Sequence, residues 1–133
     1  MKNRFFLYYL PALLYAGVIF TLSSIQHLQL PKLGISWTDK IAHFLEYAVF
    51  GFFMVRAFFY GSSPEKRRRA LWIAFLVSLV YAATDEFHQI YVPGREASVL
   101  DWLADSEGIS MGHYLFSHWK RVENRFRHLY ATK

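Results

Sequence analysis

Asp39, His43, Glu46 and Tyr47 recur at helical spacing and so share one face of a single helix. Ser78, Tyr81, Asp85, His88 and Gln89 repeat the pattern, with Glu86 beside that face. Arg95 follows shortly after Pro93-Gly94. Asp101 and Asp105 then share a face that Gly108 and Gly112 continue. An imidazole near a carboxylate is the raw material of general acid–base chemistry. His43 with Glu46, and Asp85 with His88, also have the i, i+3 spacing of carboxylate–histidine metal sites in helical bundles. A guanidinium such as Arg95 can clamp phosphate or carboxylate through paired N–H groups. Each feature has a plainer counterpart. The ionisable groups could form a network that only fixes helix packing, and Arg95 could simply pair with Glu86 or Asp101.

The elements that must carry these residues are apolar. Of the chain's 133 residues, 54% are hydrophobic and 20% aromatic, heavy for a soluble domain of this length and room for one domain, 1–133. Hydropathy predicts helices over roughly 5–22, 41–60, 70–91 and 98–119, followed by a basic tail at 120–133. The first run is long enough to cross a bilayer and no small-residue cleavage site follows it, which predicts a retained helix rather than a signal peptide. Residues Ser23 to Lys40, with Pro31 and Gly34, predict a loop, Gly61 to Arg69 a tight one, and Pro93-Gly94 a turn. The aromatic run Phe52, Phe53, Phe58, Phe59 and Tyr60 is expected to face lipid, and Tyr91 and Trp102 to join an outer aromatic belt. The chain has no cysteine, which excludes disulfides, thiolate catalysis and cysteine metal sites.

The net charge of +5 is concentrated in three clusters: Lys2 with Arg4, Lys66 to Arg69, and Lys120 to Arg127. Each flanks an apolar run and no nucleic-acid-binding motif accompanies them, so they read as orientation signals and no nucleic-acid partner is expected. Placing all three on the cytoplasmic side demands an even number of crossings. The expected fold is therefore all-α: a polytopic bundle of four transmembrane helices, with N- and C-termini cytoplasmic. The fourth helix is the weakest span, because it carries Asp101, Asp105, Glu107 and His113. On this topology the ionisable groups of three helices gather near the outer face. A charge at the centre of a membrane helix costs about 2.5–3.5 kcal/mol or more, so these groups should meet one another or water in a shared outward pocket. Gly108 and Gly112 form a small-xxx-small pair that would let the fourth helix approach a neighbour closely.

With these motifs the sequence resembles the VanZ-like family of bacterial membrane proteins. Asp39-Lys40 through His43, Glu46 and Tyr47 to Gly51 is similar to one family motif. Asp85-Glu86-Phe87-His88-Gln89 followed by Val92-Pro93-Gly94-Arg95 is similar to a second, and Asp101 with Gly108 and Gly112 to a third. Ser23-Ser24 also fits, and the likeness runs over roughly residues 5–115. The chain departs at Asp105, where the family usually has asparagine, and near Glu107. The resemblance implies a multi-pass protein of the bacterial inner membrane and an association with resistance to the glycopeptide teicoplanin. It implies no reaction.

Two functional expectations follow. An enzyme, a hydrolase or transferase on an envelope lipid or peptidoglycan precursor, would hold an anionic group with Arg95. It would use His43 or His88 as general base, Glu86 or Glu46 as general acid, and Asp85 and Asp101 to orient the histidines. Asp39, Lys40, Tyr47, Gln89 and Asp105 would bind substrate. Neither Ser24 nor Ser98 lies in a nucleophile motif, so water is the expected nucleophile. A binder would instead capture an envelope component or the glycopeptide with the same pocket. No cofactor is expected; a metal held by His43, Glu46, Asp85 and His88 is the alternative. Membrane lipids are the expected partners, and the oligomeric state stays open.

Overall fold

A computed structural model describes residues 5–26, 37–95 and 97–131, with side chains as far as Arg125. The basic pair Lys2/Arg4, the Pro31 and Gly34 positions of the first loop and the Arg127 side chain lie outside the described residues. A π-helical turn, Phe5–Tyr9, leads into α1, Leu10–Ser23. Helix α2 spans Trp37–Gly61, a 3-10 turn covers Pro64–Lys66, α3 spans Arg67–Gln89 and α4 spans Val99–Ala131. There is no strand among the described residues.

The irregular start of α1 has a local cause. Pro11 has no N–H to offer the Leu7 carbonyl four residues back. Arg56 of α2 takes its place, donating from Nη1 to that carbonyl at 3.1 Å, with its guanidinium 5.4 Å from the Tyr8 ring centre. The arginine that interrupts the second apolar run thus satisfies a backbone group that proline has freed.

Contacts at the helix ends fix the relative directions. Tyr8 stacks on Tyr60 at 5.0 Å, so α1 and α2 are antiparallel. The Ser23 hydroxyl donates to Asp85 at 2.7 Å, which brings the last turns of α1 and α3 together. Lys40 pairs with Asp101 at the start of α2 and α4, and Lys120 donates to the Tyr60 hydroxyl at 3.2 Å toward the other end. Helices α2 and α4 therefore run parallel, and their contact is the most extensive in the bundle. Glycine makes it possible. A Cβ on Gly108 would strike the Phe44 carbonyl and stand 2.9 Å from Ala48 N; one on Gly112 would strike the Ala48 carbonyl; one on Gly51 would stand 2.7 Å from the Ile109 carbonyl. Backbone meets backbone there, as in small-xxx-small membrane packing.

The helices overrun the predicted bounds. Helix α2 begins at Trp37, so Asp39 and Lys40 are helical rather than in a loop. Helix α3 begins at Arg67 inside the expected polar loop, and α4 continues to Ala131 through the basic tail. Hydropathy marks where apolar surface stops, whereas arginine and lysine are good helix formers and let the helix continue. The aromatic residues of α2 also depart from expectation. Phe52 and Phe59 are half-buried and pack on Phe116 at 5.8 and 5.3 Å, and Phe53 lies 5.7 Å from Tyr15. Trp102 turns inward, its indole N–H donating to the Leu79 carbonyl at 3.4 Å, while Tyr91 is exposed.

The polarity of the bundle is inverted relative to a soluble protein. Ser23, His43, Ser78, Asp85, Glu86, Gln89, Asp101 and Asp105 are buried, while Leu14, Trp72, Val80, Leu100 and Tyr114 are each at least 60% exposed. Three helical stretches, Phe5–Ser23, Trp37–Gly61 and Pro64–Gln89, are long and apolar enough to cross a membrane.

Candidate functional site

The end of the bundle that gathers the C-termini of α1 and α3 and the N-termini of α2 and α4 carries nearly every residue singled out in the sequence. Its architecture starts from the turn after α3. The Arg95 N–H donates to the Val92 carbonyl at 3.1 Å, with Pro93 and Gly94 between them and Gly94 at φ 80°. Proline followed by a positive-φ residue is the signature of a type II turn, which glycine enters without strain. The reversal delivers Ser98 to the start of α4. There its hydroxyl accepts the Leu100 N–H at 3.2 Å and caps the helix.

Ser98 and Asp101 have the spacing of a capping box, in which the acid would reach back to the Ser98 N–H. Glu86 of α3 takes that N–H instead, at 3.0 Å. Asp101 is left to pair with Lys40, which also approaches the exposed Asp39 at 3.8 Å. Glu86 thus sits at the N-terminus of α4, where the helix dipole favours a carboxylate.

Three helices meet behind this layer. His43 Nδ1 of α2 lies 2.9 Å from Asp105 Oδ1 of α4 and 3.8 Å from Glu86 Oε1 of α3. All three residues are buried, and Asp105 completely so. Asp105 Oδ2, Glu46 Oε1 and the Tyr47 hydroxyl are buried atoms without a hydrogen-bond partner among the described residues. Glu46 lies within electrostatic range of His43, Asp85, Asp105 and Arg95. Gln89 Nε2 stands 3.5 Å from both Asp85 and Glu86.

Two expected site residues make their shortest polar contacts with α1. His88 is drawn to α1, with Nε2 3.0 Å from the Ser24 hydroxyl and its ring stacked 4.7 Å from Phe20. Asp85 receives the Ser23 hydroxyl. A groove of about 130 Å³ between α1 and α3 is lined by Phe20, Tyr81, Thr84, Asp85 and His88. Among the described residues, the sets of three potential metal ligands are Asp39/His43/Asp101 and His43/Glu86/Asp105, so the grouping of His43, Glu46, Asp85 and His88 expected from spacing does not form one. The role of Ser98 is absent from the sequence expectations, although the Ser98-x-x-Asp101 pattern could have announced the cap.

The family described as VanZ/LLP1 matches residues 5–120. The chain belongs to the VanZ/LLP1 family. No curated protein and no solved structure matches it at a significant level. Family membership and three membrane-length apolar helices make it a multi-pass membrane protein. The VanZ/LLP1 match takes in the whole polar cluster, from Ser23 to Asp105.

Proposed function

We propose that this VanZ/LLP1 protein crosses the bacterial cell membrane four times, with both termini cytoplasmic, and acts on or binds a phosphate-bearing or lipid-linked envelope component at an extracytoplasmic polar cluster. The observation that carries the reading is the convergence of buried His43, Glu86 and Asp105 from three helices, beside Glu46, which is itself within electrostatic range of Arg95. Buried ionisable groups in a membrane bundle are costly and mark functional sites. Helix α4 supports the four-span topology. From Asp101 to Lys120 it rises roughly 28 Å, close to the roughly 30 Å of a hydrocarbon core. Over that length it follows α2 while Leu103, Met111, Tyr114 and Leu115 face outward. Lys66 to Arg69, Lys120 and Arg121 lie at the end opposite the cluster, as inside-positive charge requires.

Topology is tested with single cysteines, since the chain has none of its own. In intact cells a membrane-impermeant maleimide is expected to label Tyr91→Cys. It should reach Glu65→Cys and Asn124→Cys only after lysis. Labelling of Asn124→Cys in intact cells would show that α4 does not return to the cytoplasm.

Function is tested by teicoplanin susceptibility of a bacterial host making the protein at matched membrane abundance. The wild type is expected to protect, and both Glu86→Gln and Arg95→Ala to lose most of that protection. Glutamine can still accept the Ser98 N–H, so its effect would report the acid rather than the cap. A second reading, in which the cluster only fixes packing, draws on the pairs Ser23–Asp85, Ser98–Glu86 and Lys40–Asp101. Full protection by both variants would establish it. Product formation from an envelope substrate separates turnover from simple binding.

A further inference from the structure

We propose that His43, Glu86 and Asp105 bind one divalent first-row transition-metal ion, of which Zn2+ is the type. The ligand atoms of the three residues lie within 4.8 Å of one another and all three residues are buried. Two ligands each about 2.1 Å from Zn2+ stand roughly 3.0–3.4 Å apart at angles of about 90–110°. The separations of 2.9 Å from His43 to Asp105 and 3.8 Å from His43 to Glu86 bracket that span. A small ion seated among them needs only slight side-chain adjustment.

An independent observation points to the same ligand. Asp105 is 0% exposed, and its Oδ2 has no hydrogen-bond partner among the described residues. Leaving a carboxylate oxygen both dry and unpaired costs free energy. This oxygen belongs to the carboxylate whose Oδ1 already faces His43, so an ion chelated by both oxygens would supply the missing partner. Two carboxylates and a neutral imidazole also carry the charge that balances a divalent cation.

The neighbouring set, Asp39, His43 and Asp101, is spaced as closely but differs in character. Asp39 is exposed, and Lys40 already supplies a cation to Asp101. The inner set is therefore the better host. One imidazole and two carboxylates suit Zn2+, Mn2+ or Fe2+; Ca2+ and Mg2+ favour all-oxygen shells. The Ser98 N–H holds Glu86 Oε2 at 3.0 Å and leaves Oε1 turned toward His43, the outer-shell support that metal carboxylates receive. Three protein ligands leave room for water or for an anionic headgroup oxygen. This inference rests on the proposed cluster as a site, and it names what that site holds.

The test uses the full chain, purified in detergent, stripped with a chelator and titrated with Zn2+ and with Co2+, whose visible absorption reports its ligands. One ion per chain is expected. Asp105→Asn, nearly isosteric, and His43→Gln are expected to weaken binding by about 100-fold or more, beyond the loss typical of outer-shell changes. Asp39→Asn and His113→Gln should bind as the wild type does. Absence of stoichiometric binding by the wild type would overturn the proposal, as would wild-type affinity in Asp105→Asn or loss of binding in Asp39→Asn. If no ion binds yet Glu86→Gln abolishes teicoplanin protection, the cluster functions without metal and this proposal alone falls. If the ion binds with the expected variant pattern and Glu86→Gln still protects, the metal site stands and the resistance reading falls.

Discussion

Gly108→Val is expected to prevent assembly of the native bundle. The first side-chain carbon would strike the Phe44 carbonyl and stand 2.9 Å from Ala48 N, both backbone atoms of α2. A backbone cannot swing aside as a long side chain can, so the two helices must separate. Separation would undo the contacts that set the site, because Lys40 meets Asp101 and His43 meets Asp105 across the same interface. Overpacking a close-packed core costs about 1–3 kcal/mol, and a rigid backbone contact places this substitution at or beyond the upper end. The expected result is a protein that enters the membrane but aggregates or elutes heterogeneously when extracted in mild detergent. Gly17→Ala is the matched control. A Cβ at that position on α1 would meet nothing within 4 Å, and the variant should extract and elute as the wild type does. A monodisperse, thermally stable Gly108→Val protein would show that α2 and α4 do not pack as described.

Asp105→Ala is expected to destabilise the bundle by about 1–3 kcal/mol, the cost of taking one partner from a buried hydrogen bond. The carboxylate is fully enclosed and faces His43 at 2.9 Å, so its removal leaves that imidazole facing Glu86 at 3.8 Å. The double variant His43→Ala/Asp105→Ala should lose much less than the sum of the single changes, since replacing both partners removes the stranded group as well. The measurement is unfolding of detergent-solubilised protein by titration with a denaturing surfactant. A chelator present throughout confines the comparison to the side chains. Additive losses would mean that the two residues do not depend on each other.

Much of the site is legible in the sequence because helical spacing is a local property. Asp39, His43, Glu46 and Tyr47 have to share a face of one helix, and the Pro93-Gly94 turn has to return the chain beside α3. Gly108 and Gly112 announce a close approach without naming the neighbour. Spacing does not say how each helix is rotated toward the others. His88 shares its face with Asp85, yet Phe20 and Ser24 draw it to α1, away from His43. Glu86, placed beside that face by its numbering, instead reaches the central trio because α4 begins just after Ser98, whose backbone N–H it accepts. Trp102 resembles an interface anchor by type, and only the partner carbonyl of Leu79 explains why it turns inward. Helix ends differ from expectation for a related reason: a basic residue ends an apolar run without ending a helix.

The pairing of α4 with α2 has a consequence for biogenesis. Its two innermost acids, Asp101 and Asp105, find their counterparts Lys40 and His43 on a helix synthesised some sixty residues earlier. By the time a ribosome delivers α4, those counterparts are already in place. On the proposed four-span topology, a segment too polar to enter lipid alone becomes insertable beside a helix that neutralises it. The order of translation is in that sense part of the fold: were α4 made first, its carboxylates would meet the bilayer with nothing to receive them.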